Sequence, residues 1–372
     1  MKNKKKLCLF IGFYPFAKGG AEYQCRIIAD HLKQKYDIFF IAYEGVYPNT
    51  VNVIDGYKIY SITPYPSYNR KLLYFPVAQT ISRILEKEKP DIIYQRILNS
   101  FSYHLSKYSK NKKIPYFIHV ADNYSLQLNQ LSLTTTVRKW MLNKVKKNVH
   151  CNFIVQTSFQ KKLLEKQGIR PIQKVYNMHP YNANLSFKAY YKKKNSKKFQ
   201  ILWIGSGRPV KRMELFLKLA NSYNNRKNFS FHIIGRIETN SPYGVKLLKK
   251  IQAMNNLNYH GEQSNEYVNK NISESNLIIN TSLTEGFSNV FIQSWLRGVP
   301  VISLNSNPDE VITKYNLGYF CYNDFNLISQ KLNYLASDKV KYLQIAENCF
   351  TVSRNLFQIE KNIKLLNQLF QT

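Results

Sequence analysis

One stretch, residues 276–304, constrains the fold of this chain more than any other. An apolar run predicts a buried strand, followed by a turn at 285–287 and a helix that ends at Gly298. Ser288 is the predicted N-cap of this helix, and another strand is predicted over 299–304. A strand, a glycine-containing loop and a helix start bring backbone N–H groups and the positive end of the helix dipole together. The pattern therefore predicts an α/β domain with an anion site at this loop.

Two further segments repeat this arrangement of strand, glycine loop and helix. A strand predicted over 7–11 leads to Gly19 and Gly20, where an amphipathic helix begins. A strand predicted over 200–205 is followed by a basic loop at 206–212 and by a second amphipathic helix. Because ligands collect beyond the carboxyl ends of parallel strands, each loop is a candidate part of a binding site.

Length and composition favour a globular chain with two domains. The 372 residues are enough for two cores, and 44% of them are hydrophobic. No apolar run reaches the ~18 residues that a spanning helix needs. Five scattered cysteines without a C-x-x-C pair predict neither a disulfide framework nor a metal cluster. We expect domains at 1–187 and 199–350, a polar linker at 188–198, and a terminal helix at 351–372.

The stretch 276–304 resembles the donor-site signature of the family-4 retaining glycosyltransferases, in which two glutamates flank seven residues. Here the first is Glu285, but Gln293 occupies the second position, and a neutral amide makes weaker hydrogen bonds than a carboxylate. The match continues through 297–301. It implies the GT-B fold, an α/β architecture of two Rossmann-like domains whose parallel sheets face each other across a cleft, with the last helix returning to the N-terminal domain. For 285–287 alone, an ordinary strand–loop–helix remains the alternative.

The resemblance also implies roles for individual residues. Glu285 would orient the donor sugar, and Arg208 and Lys211 would neutralise its diphosphate, although they are closer together than in many members. His119, at the end of a strand predicted within 115–122, would lie near the reacting sugar; a histidine satisfied inside the fold is the alternative. The remaining donor contacts implied are Gly19, Gly20, Gly205, Gly286, Phe287, Ser288, Asn289 and, on the ribose, Gln293.

The implied activity is transfer of a sugar from a nucleotide diphosphate donor, with UDP-hexose expected, and with retention of the anomeric configuration. The expected acceptor is a saccharide, or a saccharide on a polyprenyl diphosphate, in surface polysaccharide biosynthesis. The chain has no Asp-x-Asp, so neither a metal nor another cofactor is expected. A sugar-nucleotide epimerase of similar fold and a basic, non-enzymatic binding protein are the alternatives.

A net charge of +32 indicates anionic partners. No nucleic-acid motif accompanies the lysines, so we expect a cytoplasmic protein associated peripherally with the inner membrane surface, without nucleic acid. Residues 133–150 predict a basic helix with Trp140 on its apolar face; it either touches the membrane or packs its apolar stripe inward. The Tyr- and Pro-rich stretch 64–79 is either an acceptor-side loop or irregular surface.

Overall fold

The structure is a computed structural model that describes residues 4–43, 50–62, 75–126, 133–192 and 198–371. The chain divides into two compact units. Unit 1 comprises Met1–Met178 together with Ile359–Thr372, and unit 2 comprises His179–Gln358.

A predominantly parallel sheet forms the centre of unit 1. In the described residues it has eight strands in the order β3-β4-β2-β1-β5-β6-β7-β8, and only β3 and β4 pair antiparallel. The strands are β1 (Lys5–Phe10), β2 (Tyr36–Ala42), β3 (Val51–Ile54), β4 (Tyr57–Ser61), β5 (Ile92–Arg96), β6 (Tyr116–His119), β7 (Cys151–Val155) and β8 (Gln173–Lys174).

The antiparallel pair is a hairpin that turns at Asp55 and Gly56, and an Asp-Gly pair between two apolar stretches is a sequence signal for such a turn. Both residues have positive φ, 52° and 81°, as a two-residue type I′ turn requires. Burial follows the sequence pattern elsewhere as well, since β1 carries a run of fully buried side chains from Leu7 to Phe10. Such continuous apolar runs are typical of parallel strands that are covered on both faces.

The helices of unit 1 include the last helix of the chain. Phe370 packs its ring against Tyr36, Tyr94 and Phe117, with centroids 5.1–6.0 Å apart, and the Tyr36 hydroxyl donates to Asn367. The C-terminal segment thus completes the core of unit 1. The helices are α1 (Gly20–Leu32), α2 (Phe75–Glu88), α3 (Phe101–Lys112), α4 (Leu133–Lys146), α5 (Ser158–Glu165) and α14 (Ile359–Gln371).

A second parallel sheet forms the centre of unit 2. Its six strands, within the described chain, have the order β11-β10-β9-β12-β13-β14. The strands are β9 (Phe199–Ile204), β10 (Phe229–Ile234), β11 (Leu257–Tyr259), β12 (Leu277–Asn280), β13 (Val301–Ser303) and β14 (Gly318–Phe320). The helices are α6 (Phe187–Lys192), α7 (Met213–Ser222), α8 (Pro242–Gln252), α9 (Asn265–Glu274), α10 (Asn289–Trp295), α11 (Val311–Lys314), α12 (Phe325–Ser337) and α13 (Lys339–Leu356).

The linker predicted at 188–198 is wrong over its first half, where α6 forms part of unit 2. Phe187 and Tyr190 pack on Phe350, with ring centroids 5.7 and 6.0 Å away. These aromatic residues have helical spacing, and the lysines between them gave the stretch its polar appearance. The chain passes between the units at residues 178–179 instead.

The single helix predicted at the C-terminus is also wrong, because the structure has two. Helix α13 ends at Leu356, and Phe357 leaves the helical conformation with φ −112° and ψ 26°. The Phe357 ring is fully buried in unit 2 against Phe287, whereas Phe370 is buried in unit 1. The apolar residues that continue one helical pattern in the sequence are therefore buried in two different cores.

Two findings bear on the remaining predictions about surfaces. Residues 63–74, which contain most of the predicted acceptor-side loop, lie outside the described part of the chain, while 75–79 begin α2. Among the described residues, no helix has both the length and the apolar character needed to cross a bilayer.

Candidate active site

The carboxyl ends of β9, β10 and β12 lie side by side in unit 2, and their loops carry most of the predicted donor residues. Gly205 directly follows β9, and its N–H donates to the Ile234 carbonyl at 3.1 Å. Gly235 follows β10 with φ 149°, and a Cβ there would lie 1.7 Å from the Gly205 carbonyl oxygen. Only glycine allows these two segments of the backbone to approach each other this closely.

Lys211 and Glu285 form an ion pair at this edge of the sheet. The Lys211 Nζ lies 2.6 Å from Glu285 Oε1, and the two side chains are only 19% and 12% exposed. The same oxygen accepts hydrogen bonds from Ser282 Oγ at 2.6 Å and Asn280 Nδ2 at 3.3 Å. Burial by itself would raise the pKa of Glu285, but the Lys211 charge and these hydrogen bonds lower it overall. Glu285 is therefore a carboxylate at neutral pH.

Hydrogen bonds join the loop after β9 to the loop after β12. The Thr281 hydroxyl donates to the Lys211 carbonyl at 2.7 Å and accepts from Trp203 Nε1 at 3.0 Å. The Leu283 N–H donates to the Val210 carbonyl at 2.8 Å. Lys211 thus has a fixed backbone and a fixed ammonium partner, as a binding residue needs.

Asn280, Thr281 and Ser282 build this environment and are not among the predicted site residues. Their signal was present in the sequence as a run of small polar residues directly after a buried apolar strand. In a parallel sheet such residues lie at the ligand edge, where their side chains can orient charged groups.

Arg208 lies at the start of the same loop, apart from the ion pair. It is exposed, and its Nε donates to Ser206 Oγ at 2.9 Å. The adjacent Gly207 packs under the loop after β10, since its N–H donates to the Arg236 carbonyl at 2.7 Å. The structure therefore brings Lys211 to Glu285 and places Arg208 at the solvent side of the loop.

The segment 286–289 makes the predicted turn into a helix, but α10 is shorter than predicted and ends at Trp295. Ser288 occupies the N-cap position with φ −62° and ψ 125°, yet its side chain makes no capping hydrogen bond. The Phe287 side chain, 3% exposed, anchors the turn against Phe357. The turn is thus held by this aromatic contact and not by the predicted cap. Gly286 is the residue before Phe287 in this segment, and Asn289 is the first residue of the helix.

Gln293 is 3% exposed in the structure. Its Nε2 lies 3.2 Å from Asn269 Oδ1 and 3.5 Å from Asn265 Oδ1, both on α9. The Gln293 amide is thus held by side chains of α9 in this structure. The contact with a ribose stays a prediction.

In unit 1, Gly19 and Gly20 begin α1 as the sequence predicts. A Cβ at Gly19 would lie 1.8 Å from Oε2 of Glu22, so this carboxylate covers the glycine at the helix start. Glu22 is 8% exposed. A carboxylate here is stabilised by the positive end of the helix dipole. The same carboxylate would repel a phosphate at the start of this helix. This repulsion counts against the predicted contact of the loop with the donor, which stays a prediction.

His119 ends β6 and is completely buried. Arg96 Nη1 donates to its Nδ1 at 3.2 Å, and the Tyr94 hydroxyl lies 2.8 Å from the same nitrogen. Burial, together with the Arg96 charge, holds the pKa of His119 well below its usual value, while the Val175 backbone acts in the opposite direction. Because Nδ1 accepts, the imidazole is neutral with its proton on Nε2. Nδ1 therefore has its partners within the fold, whereas the buried Nε2 makes no hydrogen bond of normal geometry among the described residues. The catalytic role of His119 stays a prediction.

Metal ligands are a separate question. Across the described residues, no group of three or more His, Cys, Asp or Glu side chains is arranged to hold a metal ion.

The chain matches two protein-family models, one over each half of the sequence. Residues 18–179 match the model of the glycosyltransferase family 4 domain, and residues 188–351 match that of the glycosyl transferases group 1. The chain belongs to the family-4 glycosyltransferases. The second match contains both loops that carry Lys211 and Glu285, and the first contains the start of α1.

Solved structures confirm the GT-B fold of this glycosyltransferase. Anabaena HepE in complex with UDP and glucose is 14% identical, with a TM-score of 0.77 over 99% of both chains. Sucrose-phosphate synthase from Thermosynechococcus elongatus is 14% identical, with a TM-score of 0.78 over 99% of this chain and 98% of that one. WaaG, a glycosyltransferase involved in lipopolysaccharide biosynthesis, is 14% identical, with a TM-score of 0.72 over 97% and 98%. A comparison with curated protein sequences finds no significant match.

Proposed function

We propose that this glycosyltransferase moves a hexose from a UDP-sugar to a saccharide or lipid-linked saccharide, with retention of configuration and without a metal ion. The observation that carries the proposal is the largely buried Lys211–Glu285 pair, 2.6 Å apart, where the loops after β9 and β12 meet. Structures that share the fold were obtained with UDP and glucose, or with UDP-glucose, in HepE. These complexes support a UDP-sugar as the donor of this glycosyltransferase.

Lys211 is the main group proposed to bind the donor diphosphate. An ammonium has three N–H donors, and the bond to Glu285 uses one of them. The other two can bind phosphate oxygens while the carboxylate partner fixes the position of the nitrogen. Each such charged hydrogen bond contributes about 1.5–3 kcal/mol. Arg208, exposed on the same loop, adds a second positive charge for the departing diphosphate.

The proposed reaction breaks the bond between the anomeric carbon and the diphosphate oxygen and forms a bond from that carbon to the acceptor hydroxyl oxygen on the same face. The acceptor proton passes to a phosphate oxygen of the departing UDP. Glu285 orients the sugar, and Lys211 and Arg208 stabilise the charge that develops on the diphosphate. Fixed side-chain charges thereby do the work that a divalent cation could do.

A donor panel tests this proposal. Thermal shift with UDP, GDP and their hexose conjugates should select a uridine nucleotide, and transfer to a lipid-linked acceptor should then follow. The configuration of the product, read by NMR from the anomeric coupling constant, should match that of the donor. Inversion, or loss of turnover with EDTA, would contradict the proposal. Conversion of the donor without any acceptor would instead indicate an epimerase.

We further propose that the acceptor lies at an anionic membrane surface, which would hold the protein at the cytoplasmic face. The helix predicted over 133–150 is present as α4, and it satisfies both alternatives in part. Met141, Leu142 and Val145 are buried, whereas Trp140 is 48% exposed, with Lys144 Nζ 5.6 Å from its ring centroid. An exposed tryptophan beside a lysine suits the interface between water and lipid.

The two helices at this surface carry charge of one sign within their own sequences, and one of their lysines, Lys112 on α3, pairs with Glu86 of α2 at 2.9 Å. Helix α3 packs beside α4, and Tyr103 on α3 lies 5.2 Å from the Trp140 ring. Neither helix contains an aspartate or a glutamate, although both carry several lysines. Flotation with vesicles that contain phosphatidylglycerol should recover the protein, and Trp140→Ala should lower that recovery. Equal binding to neutral vesicles, or no effect of the substitution, would contradict the proposal.

A further inference from the structure

Arg212, the residue after Lys211, connects three loops at the donor edge of unit 2. Its Nε donates to the Thr281 carbonyl at 2.8 Å, and its Nη2 lies 3.4 Å from the Ser282 carbonyl. Its Nη1 donates to Asn323 Oδ1 at 3.0 Å, on the loop after β14. A planar guanidinium presents its donors in a fixed fork, which allows one side chain to hold several acceptors at once.

The backbone of Arg212 adopts a conformation that disfavours its own side chain. Its φ of 48° and ψ of 46° are left-handed, and its N–H closes the short turn before α7 by donating to Pro209 at 3.0 Å. Glycine enters this conformation without a steric cost, whereas arginine does not. The local backbone conformation therefore does not favour arginine over glycine at this position. The contribution of the arginine comes from the hydrogen bonds of its guanidinium.

The two carbonyls that Arg212 binds belong to residues that complete the Lys211–Glu285 site. The Thr281 hydroxyl donates to the Lys211 carbonyl, and the Ser282 hydroxyl donates to Glu285 Oε1. Arg212 thus fixes the backbone of the two residues whose hydroxyl groups make these hydrogen bonds. Moving the segment 281–282 would move the partners of both charged groups.

Asn323 provides the third anchor of this arrangement. It has φ 64°, and its N–H donates to the Leu304 carbonyl at 2.7 Å, so it is itself fixed to the end of β13. Arg212 therefore ties the loop after β9 to that after β12 and to the edge of the sheet at β14.

We propose that Arg212 is a positioning residue for the donor diphosphate, which acts through Lys211 and Glu285. The inference rests on the proposed function, because it assigns a means of preorganisation to the same site. It predicts that donor affinity depends on the guanidinium and not on the left-handed turn that carries it. Preorganised charges bind more tightly because no reorganisation is needed when the ligand arrives.

The test replaces Arg212 with glycine, which suits the left-handed backbone and removes only the side chain. We expect Arg212→Gly to keep its thermal midpoint and to raise the Kd for UDP about tenfold in isothermal titration calorimetry. Guanidinium ion at a sub-denaturing concentration should restore part of the affinity in Arg212→Gly and none in the wild type. Arg212→Lys should fall between the two, since an ammonium cannot reach all three acceptors in one plane.

A matched control and a second variant complete the experiment. Arg226→Ala removes a guanidinium that binds Asn333 at the opposite end of the sheet, and it should leave UDP affinity unchanged. Asn323→Gly keeps the left-handed backbone of the third anchor and should raise the Kd about threefold, which also covers the case that Arg212→Gly does not fold. If the wild type fails to bind UDP, the proposed function is wrong. If the wild type binds UDP and the Arg212 and Asn323 variants bind it within twofold as well, this inference is wrong.

Discussion

Replacing Lys211 with alanine separates two consequences of the largely buried ion pair, its contribution to stability and its contribution to donor binding. Glu285 would keep the hydrogen bonds from Ser282 and Asn280 but lose the ammonium of Lys211. Removing one partner of a buried pair costs about 3–5 kcal/mol. The two hydrogen bonds that remain place this variant at the lower end, about 3 kcal/mol. Because the side chains are 19% and 12% exposed, solvent screening reduces this value little.

The pH dependence of that loss identifies its cause. In the wild type the pKa of Glu285 is lowered, so the pair stabilises the fold above the usual carboxyl pKa, and this stabilisation is lost as the pH falls through the lowered value. In Lys211→Ala, burial would dominate and raise the pKa of Glu285, which then takes up a proton on acidification. The difference in unfolding free energy between the two proteins should therefore shrink between pH 7 and pH 5.

Urea unfolding at both pH values measures this difference, and calorimetry with UDP measures binding. We expect the Kd for UDP to rise by at least about 10- to 150-fold, which corresponds to the loss of one of the two charged hydrogen bonds that Lys211 can donate to the diphosphate. The double variant Lys211→Met with Glu285→Gln removes both charges and should regain most of the stability without regaining affinity. A stability loss below about 1 kcal/mol, or equal losses at both pH values, would refute the account of the pair. Unchanged UDP affinity would refute the assignment of Lys211.

Three other predictions concern single positions. Gln293→Glu should leave UDP affinity unchanged or increase it, and a large loss in titration calorimetry would show that the side chain does not face the ribose. Glu88, whose pKa is lowered to about 2 by hydrogen bonds from Lys58, Tyr60 and Lys6 despite its burial, should stabilise unit 1 above pH ~4.5 and lose that contribution as the pH falls towards 2. Glu88→Gln should therefore destabilise the protein at pH 7 by about 2 kcal/mol and at pH 3 by about half as much, as read from urea midpoints; an equal loss at both pH values would contradict this. Gly235→Ala should lower the thermal midpoint and UDP affinity together, because its Cβ would lie 1.7 Å from the Gly205 carbonyl oxygen; a variant as stable as the wild type would count against the close approach.

Sequence periodicity predicted the local structure well where one face of an element is buried in a single core. Helix α7 buries Met213, Phe216, Leu217 and Ala220 as their spacing predicts, and the hairpin turns at Asp55 and Gly56. It failed where a continuous apolar pattern is divided between two cores, at Phe357. It failed again where lysines mask an aromatic face, in α6. Periodicity reports that a face is buried and does not report what buries it.

The sequence by itself determined the family, the parallel α/β domains and the loops that carry Lys211 and Glu285, because glycines, helix starts and buried strands have local signatures. Only the tertiary structure showed that these two side chains touch, that Asn280 and Ser282 join them, and that Arg212 braces the same loops. It also showed His119 buried beside Arg96 and Glu22 covering Gly19. Contacts between residues 70 positions apart depend on strand order and on the length of each loop, and no local pattern encodes either.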